Sequence, residues 1–435
     1  MTSETMATHI RTGESEAAEQ RLRLLQLAAR MLLEYNFRSS VLVARLEQLA
    51  RNLGVDLEVG VSYRAVALYI AEGRCIHVQA REYLTNVDVS AGILRVIEAT
   101  TSRRIAPWDA ITQLQLLEQT GPAHPLTLLA ALFGLAAAAL AAILHADFPA
   151  LAIVAFSSTL GLLARKALAR QHWPLFSLPF VAGAIGGMVG GTGIRLGWTQ
   201  TPALCIMVPA LMLVPGPHLI NGLYDIFENH IQTGVSRLVL AGGILISAAI
   251  GSLFGAWSVM DLNQITPATS NAVHLTLILD VVLAAVASCG FGAFYNSPWR
   301  VLWISIFCGM AGHGVRFLLL DNGVSLPGAT LLACITIGVI ASVAVNRFRL
   351  PFSSVAFAGA VPMMPGTLIY RSIAGAARLS LLGNTADPEL AAGAVSQLMQ
   401  ATLVVGAMAA GLLLGAFAAS FISEITRVSR DRARI

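Results

Sequence analysis

The chain has 435 residues, of which 56% are hydrophobic and only 12% are charged, with a formal net charge of +4 and a mean hydropathy of +0.71. A soluble globular protein carries about 25% charged residues, so this composition excludes that class and indicates an integral membrane protein. Of the 52 charged side chains, 27 lie in the first 124 residues. A soluble segment is therefore expected to precede a membrane domain.

The N-terminal segment predicts a cytoplasmic α/β domain over residues 21–122. Residues 1–20 are polar and lack the apolar core of a signal peptide, so they are expected to be disordered. Apolar spacing predicts helices, and runs rich in Val, Ile and Tyr predict two or three strands. The predicted helices cover residues 17–36 and 39–54, and the predicted strands lie within residues 57–83. Two further helices are expected to begin at Ser90 and Pro107.

This soluble segment offers no catalytic constellation. It has no nucleotide-binding loop, no triad spacing and no basic run for nucleic acid. Cys75 and His77 share one strand face, but two ligands do not make a metal site, so a packing role is favoured. The five cysteines show no paired spacing and are expected to be free thiols. We therefore expect no cofactor, no metal and no enzymatic activity.

From residue 125 the sequence has ten hydrophobic segments, and a spanning helix needs roughly 20 apolar residues. The third segment carries Gly183, Gly187 and Gly191 every fourth residue, which predicts a close-packing helix face. The predicted spans are 125–144, 149–165, 175–194, 202–215, 235–257, 273–294, 301–320, 327–345, 352–366 and 391–421. They divide into a first half over 123–257 and a second half over 258–421, followed by a basic tail over 422–435.

The stretch "MLVPGPHLINGLYDIFENHIQTG", residues 212–234, breaks the fourth span at Pro215 and Gly216. Proline ends a helix, and glycine lets a ligand approach the backbone closely. Polar residues follow the break, and Asn221 and Asp225 share one helical face. The polar residues are candidates for substrate binding or coupling, whereas a solvated amphipathic face is the alternative: His218, Asn221, Asp225 and His230.

Asp280 lies inside the apolar run "HLTLILDVVLAAVASCG". An intramembrane carboxylate is costly and often marks a pathway, so Asp280 is a candidate proton carrier, cation site or ammonium partner. A purely structural partner is the alternative. His313 and Arg316 lie near the outer end of the seventh span, where they would gate the path or, for Arg316, reach the interface.

The ninth span breaks in the same way, at "VPMMPGTLIYR". Pro365 and Gly366 repeat the Pro-Gly pair, with the glycines 150 residues apart, and Arg371 follows as a candidate partner for a substrate carboxylate or an interfacial anchor. Gly251 and Gly255 in the fifth span match Gly411 and Gly415 in the tenth. Two halves of five spans each would be inverted repeats, and matching broken helices point to a secondary transporter's substrate site.

The basic residues predict that both termini are cytoplasmic. With that orientation, 11 Lys or Arg residues fall on cytoplasmic connections and the tail, against 4 on the opposite side. Positive residues concentrate on the cytoplasmic side of membrane proteins. The loop over 258–271 carries no basic residue, which fits an outer position.

The break and the residues after it resemble a long motif of the threonine/serine exporter family. The matching residues are Leu213, Val214, Pro215, Gly216, Ile220, Asn221, Asp225, His230, Thr233, Gly234 and Arg237. The stretch "VPMMPGTLIYR" and the soluble helix "RLEQLARNLGV" are similar to the family as well. One departure is "LLEYNFRSS", where the family often has a Gly-Ala turn after the first helix.

The resemblance implies a cytoplasmic domain followed by ten spans in two related halves, which the family sometimes encodes as two proteins. It implies export of threonine, serine or similar small metabolites across the inner membrane, driven by the proton motive force. Its expected partners are a small amino acid or metabolite, protons and the bilayer. The sequence is compatible with a homo-oligomer but does not decide the oligomeric state. A dicarboxylate exporter and a membrane sensor or enzyme acting through its soluble domain are the alternatives.

Overall fold

The computed structural model describes residues 3–70, 73–261 and 275–432. The chain divides into two compact units. The first unit contains Met1–Ala123, Asn221–Arg237 and Arg349–Pro351, and the second contains His124–Ile220, Leu238–Phe348 and Phe352–Ile435. The first unit thus includes two short stretches that lie outside the predicted domain of residues 21–122.

Four helices of the first unit precede the membrane segments: α1 (Ser3–Glu34), α2 (Ser39–Leu53), α3 (Val87–Thr101) and α4 (Pro107–Glu118). Helix α1 begins within the stretch that was expected to be disordered. Gly54 ends α2 in the left-handed conformation, and Pro107 starts α4 as predicted. The prediction that Ser90 starts a helix was wrong. Helix α3 begins one turn earlier because the Asn86 side chain accepts the Val89 N–H at its N-terminus, and Ser90 is buried inside the helix.

Three antiparallel strands form one sheet in the order β1 (Leu57–Val61), β2 (Ala65–Ile70) and β3 (Arg74–Gln79). Leu68 pairs with Val59 on one side and with Ile76 on the other. Val66 and Leu68 are fully buried, so alternate side chains of the central strand join the helices in one apolar core. The helices contribute the larger part of that core, including Leu25, Leu42, Leu46, Ile93 and Leu114.

The hydrophobic part of the chain is entirely helical where it is described. Its first half contains α5 (Leu126–Ile143), α6 (Phe148–Arg170), α7 (Ser177–Arg195), α8 (Pro202–Leu211), α9 (Gly216–Phe227) and α10 (Ile231–Trp257). Its second half contains α11 (Leu277–Phe294), α12 (Trp299–Asp321), α13 (Leu326–Phe348), α14 (Phe352–Ala360), α15 (Gly366–Leu382) and α16 (Pro388–Arg432). Residues 273 and 274 of the predicted sixth span and most of the loop before it lie outside the described residues.

Eight of these helices are long and apolar enough to cross a membrane, and two bent pairs raise the number to ten if each counts as one span. The bends are 63° between α8 and α9 and 67° between α14 and α15. Both occur at the predicted Pro-Gly pairs. The protein is therefore a multi-pass membrane protein.

The first two helices of the two halves match in length, and the first five match in spacing. Helices α5 and α11 both have 18 residues, and α6 and α12 both have 23. The first five helices of each half begin 149 to 151 residues apart, at positions 126 and 277, 148 and 299, 177 and 326, 202 and 352, and 216 and 366. The chain therefore repeats one order of helices.

Glycines bring the third and last helices of each half into backbone contact. In the first half, Gly251 and Gly255 of α10 lie against the carbonyl groups of Phe180 and Ala184 in α7. In the second half, Gly411 and Gly415 of α16 lie in the same way against α13, at Leu331 and Ile335. A Cβ at any of the four glycines would overlap a carbonyl oxygen, so these close approaches need glycine.

Candidate functional site

The first break has a clear local cause. Pro209 lies inside α8 and cannot donate the backbone hydrogen bond of its turn, and the helix ends two residues later, at Leu211. Pro215 then precedes Gly216, where α9 begins in a new direction. At the second break, α14 runs into a short 3-10 turn over Val361–Met363, and Pro365 precedes α15.

The two breaks meet inside the second unit through reciprocal contacts. The ring of Phe357 in α14 packs on Gly216, the first residue of α9. Leu211 of α8 packs on Gly366, the first residue of α15. A Cβ on either glycine would overlap the side chain that covers it. Each break is therefore covered by the first half-helix of the other pair.

A small cavity opens beside this crossing. Its walls come from the end of α8 and the turn after it, from α10, and from the first two turns of α15. The lining residues are Ala210, Leu211, Val214, Leu245, Ala249, Gly366, Ile369, Tyr370 and Ile373. Pro215 and Pro365 directly precede the two helix starts. The structure thus brings the two predicted Pro-Gly pairs, Pro215 with Gly216 and Pro365 with Gly366, to the same crossing. Gly366 also lines the cavity.

Asp280 forms a buried pair with His313. Their side chains lie 2.5 Å apart, between Oδ2 and Nδ1, and the two residues are only 3% and 6% exposed. Among the described residues, neither the Nε2 atom of His313 nor the Nε atom of Arg316 has a hydrogen-bond partner. Arg316 follows His313 by three residues, so it lies on the same side of α12. The cluster combines a carboxylate, an imidazole and a cation in an apolar setting.

Three other predicted residues are His218, His230 and Arg371. His218 is buried in the first turn of α9, and Arg371 is exposed on α15. The backbone N–H of His230 donates to the Asp225 carbonyl at 2.6 Å, just after Asn229 turns the chain in the left-handed region. His230 thus takes part in the turn between α9 and α10.

Asn221 and Asp225 belong to a buried polar network of the first unit. Asp225 Oδ1 accepts the Ser39 N–H at 2.8 Å, and Asp225 Oδ2 lies 3.0 Å from Arg237 Nη1. Asn221 Nδ2 donates to the Asn36 carbonyl, and Arg237 Nη2 donates to the Phe37 carbonyl, both at 2.6 Å. These three motif residues therefore hold the turn between α1 and α2.

The network is closed to solvent and charge-balanced. The Asp225 and Arg237 side chains are 0% and 1% exposed. Tyr83 lies close to Arg237, but burial raises the pKa of its phenol and outweighs the opposing effect of that guanidinium, so Tyr83 stays neutral and the anion that balances Arg237 is Asp225. Nearby, Glu228 pairs with Arg38 at 3.1 Å and accepts a hydrogen bond from Ser40.

Sequence reasoning missed Arg237 and the residues around Ser39 as partners of the motif. Arg237 was counted among the basic residues of the cytoplasmic connections, and the structure shows its side chain buried. One signal was present, because the stretch "LLEYNFRSS" departs from the Gly-Ala turn of the family. That stretch contains the turn that Asn221, Asp225 and Arg237 hold.

The placement of potential metal ligands was compared with what a metal site needs. Among the side chains of the described residues, no three His, Cys, Asp or Glu residues are placed to hold a metal ion. Cys75 and His77 lie 3.6 Å apart, both exposed on β3.

Eight apolar helices and two bent helix pairs make the described chain a multi-pass membrane protein, and the family models that match it place it in a class of membrane transporters. Two family models match the chain: one described as a putative threonine/serine exporter over residues 23–263, and one described as threonine/serine exporter, ThrE, over residues 280–418. The chain belongs to the threonine/serine exporter family. No solved structure matches it.

Proposed function

We propose that the protein is a secondary active exporter of small amino acids such as threonine and serine. The observation that carries the proposal is the meeting of the two bent helix pairs, with Phe357 covering Gly216 and Leu211 covering Gly366. Bent helices expose backbone polar groups, which are tolerated in a membrane only beside protein or a wet path. Such groups are suited to bind a small zwitterion.

The repeated helix order supports an inverted repeat. If each bent pair is one span, each half has five spans, so the second half enters the membrane from the side opposite to the first. The distribution of basic residues supports cytoplasmic termini and an inner-membrane location. The two half-helix crossings would then approach the middle of the bilayer from opposite sides, as alternating access requires.

Proton coupling is assigned to the pair of Asp280 and His313. Both groups change charge by gaining or losing one proton, and both are buried among apolar helices. The contact between Asp280 Oδ2 and His313 Nδ1 puts the two groups within reach of one proton. Export against a gradient would then use protons that enter from outside.

Transport by purified protein in proteoliposomes tests the proposal directly. Labelled threonine, serine and succinate are each offered in counterflow, with and without an imposed pH gradient. We expect counterflow of threonine and serine, and faster net movement when a pH gradient is imposed. Movement of succinate instead of the amino acids would favour a dicarboxylate exporter. No movement of any of the three would refute a transport function for these substrates and favour a sensor or enzyme.

A further inference from the structure

Two arginines occupy the same position in the two halves of the chain. Helices α6 and α12 both have 23 residues, and Arg165 and Arg316 are each the eighteenth residue of their helix. Both side chains are partly buried, and neither forms an ion pair with a carboxylate of the described residues. A guanidinium on an apolar helix without an anion is costly, so each of the two is a candidate for binding a ligand anion.

Arg165 faces a tyrosine whose hydroxyl has no partner. The Cζ atom of Arg165 lies 5.5 Å from the centroid of the Phe294 ring, and its guanidinium is close to the phenol of Tyr295. Tyr295 is only 3% exposed, and its hydroxyl has no hydrogen-bond partner among the described residues. A buried hydroxyl without a partner costs free energy unless a ligand or water satisfies it. The guanidinium and this hydroxyl together offer donors to an anion.

The inner arginine site, which we define as Arg165 with Tyr295, adjoins the first break. The ring of Tyr295 packs edge-on against the ring of Phe357, with the two centroids 6.0 Å apart. Phe357 is the residue that covers Gly216. One aromatic side chain therefore separates the inner arginine site from the first break.

The outer arginine site, which we define as Arg316 with His313, lies beside the second break. Gly312 precedes His313, and a Cβ on this glycine would lie 3.4 Å from the Cε atom of Met363, in the 3-10 turn of that break. The side chains of Arg316 and His313 each have a buried nitrogen without a partner among the described residues. Each break thus has one arginine site beside it, and in the proposed orientation the two sites lie on opposite sides of the membrane.

The two halves differ at the positions that hold the ionisable pair. Asp280 is the fourth residue of α11 and His313 the fifteenth of α12, whereas the same positions of α5 and α6 hold Leu129 and Leu162. The two leucines are 5% and 1% exposed. Packing of these positions does not require charge, since replacing a buried ion pair by apolar side chains is often neutral or stabilising. The pair in the second half is therefore expected to serve the transported molecules rather than the fold.

His313 can present either an acceptor or a donor at one atom. An ionised carboxylate only accepts hydrogen bonds, so Nδ1 carries the proton that faces Asp280. The Nε2 atom of the neutral ring is then an acceptor, which suits the ammonium group of an amino acid whose carboxylate is bound by Arg316. A proton that binds Nε2 from water turns that atom into a donor on a cation, which repels the ammonium group.

Few other groups near this cluster titrate. Besides His313, the described elements bring to it Asp280 of α11, Arg316 of α12 and Cys334 of α13. Helices α5 and α14 and the 3-10 turn also pack against α11 or α12, and they contain no ionisable side chain. A change of charge near neutrality is therefore assigned to the pair of His313 and Asp280.

We propose that Arg165 and Arg316 bind the carboxylate of a small amino acid at the two ends of its path, and that a proton displaces the substrate at the outer end by competing with the substrate's ammonium group for His313 Nε2. At the inner arginine site Leu162 stands in place of the histidine, so binding there needs no proton exchange. Protons that enter from outside thus release substrate outside. This inference rests on the proposed function, since it names the groups that bind the exporter's substrate.

The first test compares serine with serinol, in which a CH2OH group replaces the carboxylate, as competitors of labelled threonine in proteoliposome counterflow. Arg165→Met and Arg316→Met each remove one guanidinium, so each should raise the half-inhibitory concentration of serine about tenfold or more and leave that of serinol nearly unchanged. Arg170→Met and Arg300→Met, at exposed positions of the same two helices, are the matched controls and should behave as the natural chain does. Equal changes for the two competitors, or no change, would overturn the assignment of the arginines.

A lipid phosphate is an alternative anion for Arg165, near the end of α6. Vesicles of phosphatidylcholine alone and vesicles with added phosphatidylglycerol separate the two ligands. We expect Arg165→Met to weaken competition by serine equally in both kinds of vesicle. A loss that occurs only with phosphatidylglycerol would assign the guanidinium to a lipid headgroup and overturn the inner arginine site.

The second test asks whether protons and substrate compete. With equal pH on both sides, lowering the pH from about 8 to about 6 should raise the half-inhibitory concentration of serine about fourfold in the natural chain, as the ordinary titration of an imidazole predicts. The double variant Asp280→Leu with His313→Leu copies Leu129 and Leu162 of the first half, so it should fold. Its half-inhibitory concentration of serine should no longer vary with pH, and thermal unfolding in detergent checks its fold.

Three outcomes would overturn the role of His313. They are a natural chain whose competition by serine does not vary with pH, a double variant that keeps the pH dependence, and a folded double variant that no longer exchanges threonine. If the double variant does not fold, the pH dependence of the natural chain alone decides. Failure of the natural chain to move any amino acid at any pH would instead refute the proposed function.

Discussion

Two buried carboxylates of this protein have opposite kinds of partner. In the first unit, Asp225 faces the guanidinium of Arg237 and accepts a backbone N–H group. In the second unit, Asp280 faces the imidazole of His313, whose other ring nitrogen has no partner within the described residues. Arginine keeps its charge at every physiological pH, whereas histidine gains and loses a proton near neutrality.

This difference separates a structural carboxylate from one suited to proton transfer. The guanidinium of Arg237 and the Ser39 N–H group compensate the buried Asp225 carboxylate, so the Asp225 network stabilises one arrangement of the turn between α1 and α2. A carboxylate beside an imidazole can exchange a proton without leaving an uncompensated charge. Burial alone does not distinguish them, because both residues are at most 3% exposed.

The largest expected effect is the loss of stability when the first pair is broken. Arg237→Met leaves Asp225 buried without its cation and should lower the free energy of unfolding of the first unit by about 3–5 kcal/mol. Pulse proteolysis of the full chain across a urea series measures this change. Arg38→Met is the matched control, because its partly exposed pair with Glu228 should contribute less than about 1 kcal/mol.

Equal losses of unfolding free energy in Arg237→Met and Arg38→Met would show that the buried Asp225–Arg237 pair stabilises the protein no more than the partly exposed Arg38–Glu228 pair. A double variant, Arg237→Met with Asp225→Leu, tests whether the loss comes from the unpaired carboxylate. It removes both charges together, so much of the lost stability should return.

The second effect is a loss of coupling with little loss of stability. Asp280→Asn keeps the size of the side chain but cannot carry a proton, so proton-driven threonine flux should fall at least about tenfold, or roughly 1.4 kcal/mol. Flux with and without a pH gradient in proteoliposomes measures it. Asp321→Asn, at the exposed end of α12, is the control and should transport normally. Unchanged proton-dependent flux in the Asp280→Asn variant would make Asp280 a structural residue like Asp225.

The smallest effect concerns Asp147, a third carboxylate that is held by hydrogen bonds without a cation. It accepts bonds from the hydroxyls of Thr199 and Thr201, each at 2.7 Å, and from the Gln200 N–H at 2.8 Å. Partial burial raises the pKa of Asp147, but these bonds outweigh it, and the net pKa lies below the usual value.

A depressed pKa stabilises the folded protein at pH values above the unfolded pKa of about 3.9 and loses that contribution as the pH falls through the folded value. Asp147→Asn should therefore lower stability at pH 7 by about 1 kcal/mol or less. The difference from the natural chain should shrink below about pH 4. Thermal unfolding in detergent at several pH values measures it, and a difference that grows toward low pH would contradict the assignment.

The sequence predicted the helices of the membrane part well because each one is a long apolar run ended by a turn. The Pro-Gly pairs located both bends, since the loss of a backbone donor is a local property of the chain. The spacing of Gly183, Gly187 and Gly191 in α7 likewise predicted a close-packing face, and Gly183 and Gly187 lie against the backbone of α10. These features depend on residues near one another in sequence.

Long-range partners could not be predicted in the same way. The spacing of Asn221 and Asp225 placed them on one helical face, but nothing local showed that this face holds residues 36–39, which lie about 185 residues away. The pairing of Asp280 with His313 depends on the rotation of two neighbouring helices, which apolar periodicity leaves undetermined.

The glycine contacts between the third and last helices have a consequence for how the chain is made. A nascent chain leaves the ribosome from its N-terminus. The contact of α7 with α10 is available once Trp257 has been synthesised, whereas that of α13 with α16 must wait for Gly415. The contact between α7 and α10 can therefore form while the second half is still being translated. Each half therefore contains its own pair of glycine contacts, and the two family models likewise match the chain on either side of residues 264–279.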